Sequence, residues 1–165
     1  MNLKKCKFRV TEIIFAGYKV SANGISLEES RVKTITDMKR PTNATEVRSF
    51  LGMVNYCSKF IEGYSTMAAP LRELTKKGKK FVWGSKEQES FKKLKESLAS
   101  AQAIAFYNPE AKTKLIVDAS PVGLGGILTQ EVSEGTFKPV MYGSAALIPV
   151  QKRYSQTERE GLEVV

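Results

Sequence analysis

The sequence predicts an α+β chain, with strands towards both ends and helices between them. Three observations predict it. Residues 12–27 read strand, turn, strand. From about residue 28 to residue 98, apolar side chains recur at spacings of three and four, the period of an amphipathic helix. After residue 103 that period gives way to short apolar runs separated by turn residues, the pattern of a sheet.

Taken in order, Glu12 to Val20 is strand-like, Ala22-Asn23-Gly24 supplies turn chemistry, and Ile25-Ser26-Leu27 returns as the second arm of a hairpin. A short helix over about 28–38 stops before Pro41. Asn43, with Glu46 three residues on, opens the next helix with a capping-box-like pair. It runs through Phe60, with Val47, Phe50, Leu51, Val54 and Ile61 on its apolar face. Arg48, Gly52, Asn55, Tyr56 and Lys59 form a second stripe on the same helix. A further helix spans about 65–77, with Pro70 early enough to be tolerated by local adjustment. The basic run Lys76-Lys77-Gly78-Lys79-Lys80 breaks it and marks a boundary. Ser85 and Gln88 cap a third long helix with Phe91, Leu94 and Leu98 on one face. Strand candidates follow at 103–106, 114–118, 126–130 and 139–142. Ser155 and Glu158 form a capping box that begins a last helix.

Composition narrows the chemistry. With 165 residues, 42% of them apolar, the chain can bury a core. Its 26 Lys+Arg against 17 Asp+Glu give +9, which favours a polyanionic partner. The absence of histidine excludes histidine-assisted nucleophiles, histidine zinc sites and imidazole proton shuttles. Cys6 and Cys57 are too few for a disulfide framework and read as buried thiols of a reducing compartment. No apolar run is long enough to span a bilayer. Only two aspartates occur, Asp37 and Asp118. Asp118 closes the apolar run Lys114-Leu115-Ile116-Val117 and precedes Ala119-Ser120. A carboxylate at the end of a buried strand is costly unless it is paired or holds a metal, so Asp118 is the first candidate for function.

Several phrases, taken together and in order, resemble the Pol polyprotein of gypsy-class LTR retrotransposons over essentially the whole chain. Asn2 to Phe8 with Phe15-Ala16-Gly17-Tyr18 and Asn23-Gly24-Ile25 is similar to the end of a reverse-transcriptase palm. Arg48-Ser49-Phe50-Leu51-Gly52-Met53-Val54-Asn55-Tyr56 through Phe60-Ile61 resembles the first thumb helix. Ala69-Pro70-Leu71, Phe81-Val82-Trp83 and Phe91 to Lys95 resemble the passage from thumb to RNase H. Asp118-Ala119-Ser120, Gly125, Gln130, Pro139 to Tyr142 and Tyr154 to Glu160 resemble the opening of the RNase H domain. The resemblance implies three parts: a palm end with a hairpin and short helix over 1–38, a helical thumb over 39–80, and an incomplete RNase H-like mixed sheet with helix over 81–165.

It also implies roles. Asp118 and Glu160 fall on the first two carboxylates of the RNase H centre, which bind Mg2+ and hydrolyse the RNA strand of an RNA–DNA hybrid by two-metal chemistry. Phe15, Gly17 and Tyr18 fall on the primer grip. Arg48, Gly52, Asn55, Tyr56 and Lys59 would face a duplex in the thumb groove, reading its shape rather than its sequence. The implied partners are hybrid or duplex nucleic acid and the remainder of the Pol polyprotein, and not a membrane. The implied location is intracellular, in the cytoplasm or in virus-like particles. The chain departs from the pattern at Cys57 and Ser58, where tyrosine and arginine are usual, at Ala145 for arginine, and at Gly161 for alanine. The polymerase Tyr-x-Asp-Asp turn is not in the sequence, and neither are the two further RNase H aspartates. The expectation is a segment catalytic only within its full-length parent. Two alternatives stand beside it: a non-catalytic basic nucleic-acid-binding module, and a non-functional relic of a truncated insertion.

Overall fold

The computed structural model of the protein describes residues 6–162. Its first unit is a three-stranded antiparallel meander of β1 (Glu12–Phe15), β2 (Tyr18–Ser21) and β3 (Gly24–Leu27). The run from Glu12 to Val20, expected as one strand, is folded back on itself at Ala16-Gly17. Both of those residues have positive φ, 49° and 75°, as a tight two-residue hairpin turn requires. The apolar run Ile13-Ile14-Phe15-Ala16 continues into the turn, and Ala-Gly lacks the usual Asn-Gly signature, so the sequence pattern conceals it. The second turn falls where expected, at Ala22-Asn23.

Four helices follow: α1 (Glu29–Thr36), α2 (Ala44–Tyr56), α3 (Tyr64–Glu73) and α4 (Ser85–Ala99). Asn43 caps α2 by accepting from the Glu46 backbone N–H at 2.9 Å. The Glu46 carboxylate in turn accepts from the Thr42 backbone N–H at 2.7 Å. The α-helix ends at Tyr56 and gives way to a 3-10 turn over Ser58–Phe60, rather than continuing through Phe60. Pro70 sits inside α3. At α4 the cap is Gly84, not Ser85. The Gly84 N–H donates to the Glu87 carboxylate at 2.9 Å, while Gln88 accepts from the Trp83 indole at 3.0 Å.

These helices build one core. Val47, Phe50 and Val54 of α2 are fully buried against Leu71 of α3 and Phe91, Leu94 and Leu98 of α4, with Leu27, Ile35 and Ile104 in the same cluster. Phe50 and Phe91 meet at 4.6 Å between ring centroids, in a tilted arrangement. Residues on both sides of the lysine run at 76–80 therefore share one interior. Cys57 is buried within it, and Cys6 is half-exposed.

The second sheet is β4 (Thr113–Ala119), β5 (Gly123–Ser133) and β6 (Thr136–Ala146), in that order. Its pairing is antiparallel throughout the described residues, because turns as short as Ser120–Val122 and Glu134–Gly135 cannot return a strand in parallel. The segment expected as a strand at 103–106 instead forms a strap. Ile104 pairs with Ile25 by two backbone bonds of 2.8 and 2.9 Å, and the Ala105 N–H donates to the Pro139 carbonyl at 2.7 Å. One short segment thereby ties both sheets together. The sheet also docks on α3: the Ser65 N–H donates to the Ser144 hydroxyl at 3.0 Å, and the Thr66 and Ser120 hydroxyls lie 2.8 Å apart. The chain's last described helix is α5 (Gln156–Leu162). No helix among the described residues is long and apolar enough to cross a membrane.

Gly24 holds the strap. Its φ is +116°, and a Cβ there would overlap the Ile104 carbonyl oxygen. Gly24→Ala should cost about 1–3 kcal/mol through strain and loss of the Ile25–Ile104 pair. Denaturant unfolding measures the loss, and accelerated exchange of the Ile104 amide locates it.

Candidate nucleic-acid interface and carboxylate site

The hairpin meets α2 through two tyrosines. Tyr18 and Tyr56 stack with centroids 5.2 Å apart and planes within 11°. Each also reaches the other's element: the Tyr18 hydroxyl donates to the Tyr56 carbonyl at 2.9 Å, and the Tyr56 hydroxyl donates to the Ala16 carbonyl at 2.6 Å. A cation lies on each ring, Lys59 over Tyr18 at 3.8 Å and Arg31 over Tyr56 at 4.5 Å. Burial, with the Tyr56 interaction next, pushes the Tyr18 hydroxyl up to about 12. Burial also lowers Lys59 from its ordinary value and raises Cys57.

This junction brings together Gly17, Tyr18, Tyr56 and Lys59 of the expected interface. It adds Arg31, which no sequence pattern singles out. The Arg31 guanidinium lies where a Cβ on Gly17 would stand, so Gly17 admits the arginine as well as making the turn. Arg31 Nε is buried without a hydrogen-bond partner among the described residues. Phe15 projects outward beside the turn, 72% exposed. Asn55 and Gly52 are exposed on α2, and nothing lies within 4 Å of the space a Gly52 Cβ would occupy. Arg48 is separate from the tyrosine stack: its Nη2 donates to the Thr75 carbonyl at 2.8 Å, bracing α2 against the segment that follows α3.

The carboxylates lie on the second sheet and α5. Asp118 pairs in register with Gly125 near the end of β4. The expectation of a buried strand is corrected here. Asp118 is exposed, as are Leu115 and Ile116 at 59% and 55%, because β4 is an edge strand with little packed on it among the described residues. Burial therefore does not mark Asp118. Asp118 lines a cleft of about 240 Å3 with Glu62, Thr66, Met67 and Ser120, between α3 and the sheet. Ser120 fixes the turn that follows, its hydroxyl donating to the Gly123 carbonyl at 2.8 Å and accepting from the Gly123 N–H at 2.9 Å.

Helix α5 begins with the expected cap. The Ser155 N–H donates to Glu158 at 2.7 Å, and the Glu158 N–H donates to the Ser155 hydroxyl at 3.3 Å. Glu158 is thus engaged in capping, and Glu163 lies outside the described residues. Gln156 joins the helix to the strand, its amide donating to the Ala119 carbonyl at 3.1 Å and to the Glu160 carboxylate at 3.0 Å. Glu160 is exposed. Leu162 shares a recess with Leu115 and Val117. Among the described residues, no three His, Cys, Asp or Glu side chains group closely enough to hold a metal ion.

Comparison with known proteins places this geometry. Residues 83–165, half of the chain, match the RNase H-like domain found in reverse transcriptase. The Tf2-3 and Tf2-4 transposon polyproteins of Schizosaccharomyces pombe are each 32% identical over all 165 residues, and the chain spans 12% of their length. In fold, the chain is similar to a foamy viral protease-reverse transcriptase solved with an RNA/DNA hybrid, with a TM-score of 0.77 and 22% identity over 93% of this chain and 21% of that one. It is similarly close to the dRH form solved with double-stranded DNA, with a TM-score of 0.78 and 21% identity over 93% of this chain and 27% of that one.

The raised Tyr18 value carries a pH prediction. A proton held more tightly in the folded state stabilises it fully below pH 10, and that contribution is lost as pH rises from 10 to about 12. Urea unfolding across this range should show a decline that is shallower in Tyr18→Phe, which cannot ionise. At neutral pH the same variant should lose about 1 kcal/mol with its bond to Tyr56.

Proposed function

Because this chain belongs to the RNase H-like domain family found in reverse transcriptase, we propose that it is a segment of a gypsy-class retrotransposon Pol polyprotein. On this reading it comprises the palm end, the thumb and the first part of the RNase H domain. The segment binds RNA–DNA hybrid, and within its full-length parent it supports RNA-directed DNA synthesis and cleavage of the RNA strand. The observation that carries the nuclease part is Gln156, which seats α5 against the end of β4 and so brings the elements bearing Glu160 and Asp118 together.

Asp118 and Glu160 are the residues that would hold Mg2+. Their chemistry fits: both are exposed carboxylates on regular elements, and Mg2+ commonly takes one or two carboxylates and keeps several waters. When bound, the metal supplies polarisation of the scissile phosphate and a water acidic enough to act as nucleophile. The chain's own contribution is positional. Ser120 stiffens the turn after Asp118, Gln156 orients the Glu160 carboxylate, and Thr66 ties that turn to α3. The hairpin contributes Phe15, Gly17 and Tyr18 towards a primer strand. Gly52, with open space above it, lets α2 approach a duplex backbone closely, flanked by Arg48, Asn55, Tyr56 and Lys59.

A second reading, a basic binding module without catalysis, is favoured by the missing third carboxylate among the described residues. The two readings separate experimentally. With Asp37 and Asp118 as its only aspartates, the 165-residue chain should show no Mg2+-dependent cleavage of a hybrid. Mn2+ should nonetheless broaden the NMR signals of residues 118–120 and 156–160, and Asp118→Asn should abolish that broadening. Broadening elsewhere, or none, leaves the binding module. Under either reading, hybrid binding should weaken by roughly three decades between low and near-physiological salt if about six phosphates are contacted.

A further inference from the structure

The lysine run at 76–80 looks in sequence like a solvated turn, but the fold adds cations to it from two other elements. Helix α3 ends at Glu73, and the chain turns through Gly78, whose φ is +77°. The Lys79 N–H donates to the Lys76 carbonyl at 3.3 Å, so the run curls back instead of extending into solvent. Arg48 reaches this turn from α2 by its bond to the Thr75 carbonyl. The 3-10 turn at Gln151–Arg153, which follows β6, brings Lys152. Glu73 registers the convergence. Its carboxyl is drawn below the ordinary range first by its hydrogen bond with Lys76, and Lys79 and Lys152 add to the same pull. A helix C-terminus attracts cations within its last turn, which accounts for Arg72 but not for Lys76 to Lys80, three to seven residues beyond α3, or for charges on other elements.

We propose that Arg48, Lys76, Lys77, Lys79, Lys80 and Lys152 form one phosphate-binding surface that tracks the backbone of a duplex along the seam between the helical unit and the second sheet. All six side chains belong to exposed residues, and they come from three separate stretches of chain. All six are cations on exposed residues, so the surface recognises charge and spacing and not bases. This inference rests on the reading of the chain as a nucleic-acid-binding segment and adds to it a place where the phosphates lie.

The test compares three proteins by fluorescence anisotropy with a short RNA–DNA hybrid over a range of salt concentrations. They are the wild-type chain, a Lys77→Gln/Lys79→Gln/Lys80→Gln variant, and a Lys112→Gln/Lys114→Gln/Lys138→Gln variant. The last removes the same charge from the opposite end of the sheet; eleven-residue β6 alone sets the two ends roughly 30 Å apart. Each lost phosphate contact lowers the slope of log K against log salt by about 0.9. The first variant should therefore lose up to about 2.7 of slope and bind about tenfold or more weakly at low salt, with an unchanged thermal melt. The distal variant should keep most of the wild-type slope. Glu73→Gln should tighten binding several-fold, and Glu134→Gln in the β5–β6 turn should not. Equal effects from patch and distal variants, or an unchanged slope in the patch variant, overturn the surface while leaving hybrid binding intact. A wild-type chain with no salt-dependent binding overturns the nucleic-acid reading itself, and the surface with it.

Discussion

The contact of Phe50 with Phe91 is the point on which the molecule is assembled. It joins α2 to α4 across the lysine turn, in the core that also takes in Leu71 of α3. The hairpin attaches through Tyr18 and Tyr56 on the last turn of α2. The second sheet attaches through Ser65 and Thr66 at the start of α3. Ile104 closes the circuit by pairing with β3 while its neighbour bonds β6. Removing a ring from the centre would loosen three attachments at once, because the attached pieces are small and bury little of their own surface.

Much of this was legible in the residues. Asn43 with Glu46 and Ser155 with Glu158 marked helix starts because a side-chain oxygen three residues from its partner can close onto an orphan backbone N–H. Val47, Phe50, Leu51 and Val54 marked the core because their spacing allows one face only. The Ala16-Gly17 turn was not legible, since an unbroken apolar run leads into it and the left-handed conformation falls partly on an alanine. Residues 103–106 read as a strand because pairing partners are tertiary facts. A single bridge at Ile104 and a full strand share the same local signal.

The interface was legible in part for the same reason. Tyr56 and Lys59 were picked out by their spacing and Tyr18 by the family resemblance, but the use the fold makes of them depends on Arg31, which no periodicity distinguishes. Stacked, and with the Tyr18 hydroxyl bonded to the Tyr56 carbonyl and the Tyr56 hydroxyl to the Ala16 carbonyl, the tyrosines hold the hairpin against α2, with Phe15 exposed beside them and a cation on each ring. Asp118 stands at the end of an apolar run that suggested burial, but the strand is at the edge of its sheet and the residue is exposed. Its case now rests on its family and on the helix seated beside it by Gln156.

The two rims of the second sheet are unequal. Along β6, Pro139 has no N–H to offer, the pairing with β5 is irregular, and the residue 105 amide occupies a carbonyl, so the rim cannot template another strand. Along β4, the other outer strand of the sheet among the described residues, Leu115 and Ile116 stand in water. Lys112 and Lys114 precede that exposed apolar pair and keep this rim charged where Leu115 and Ile116 meet water.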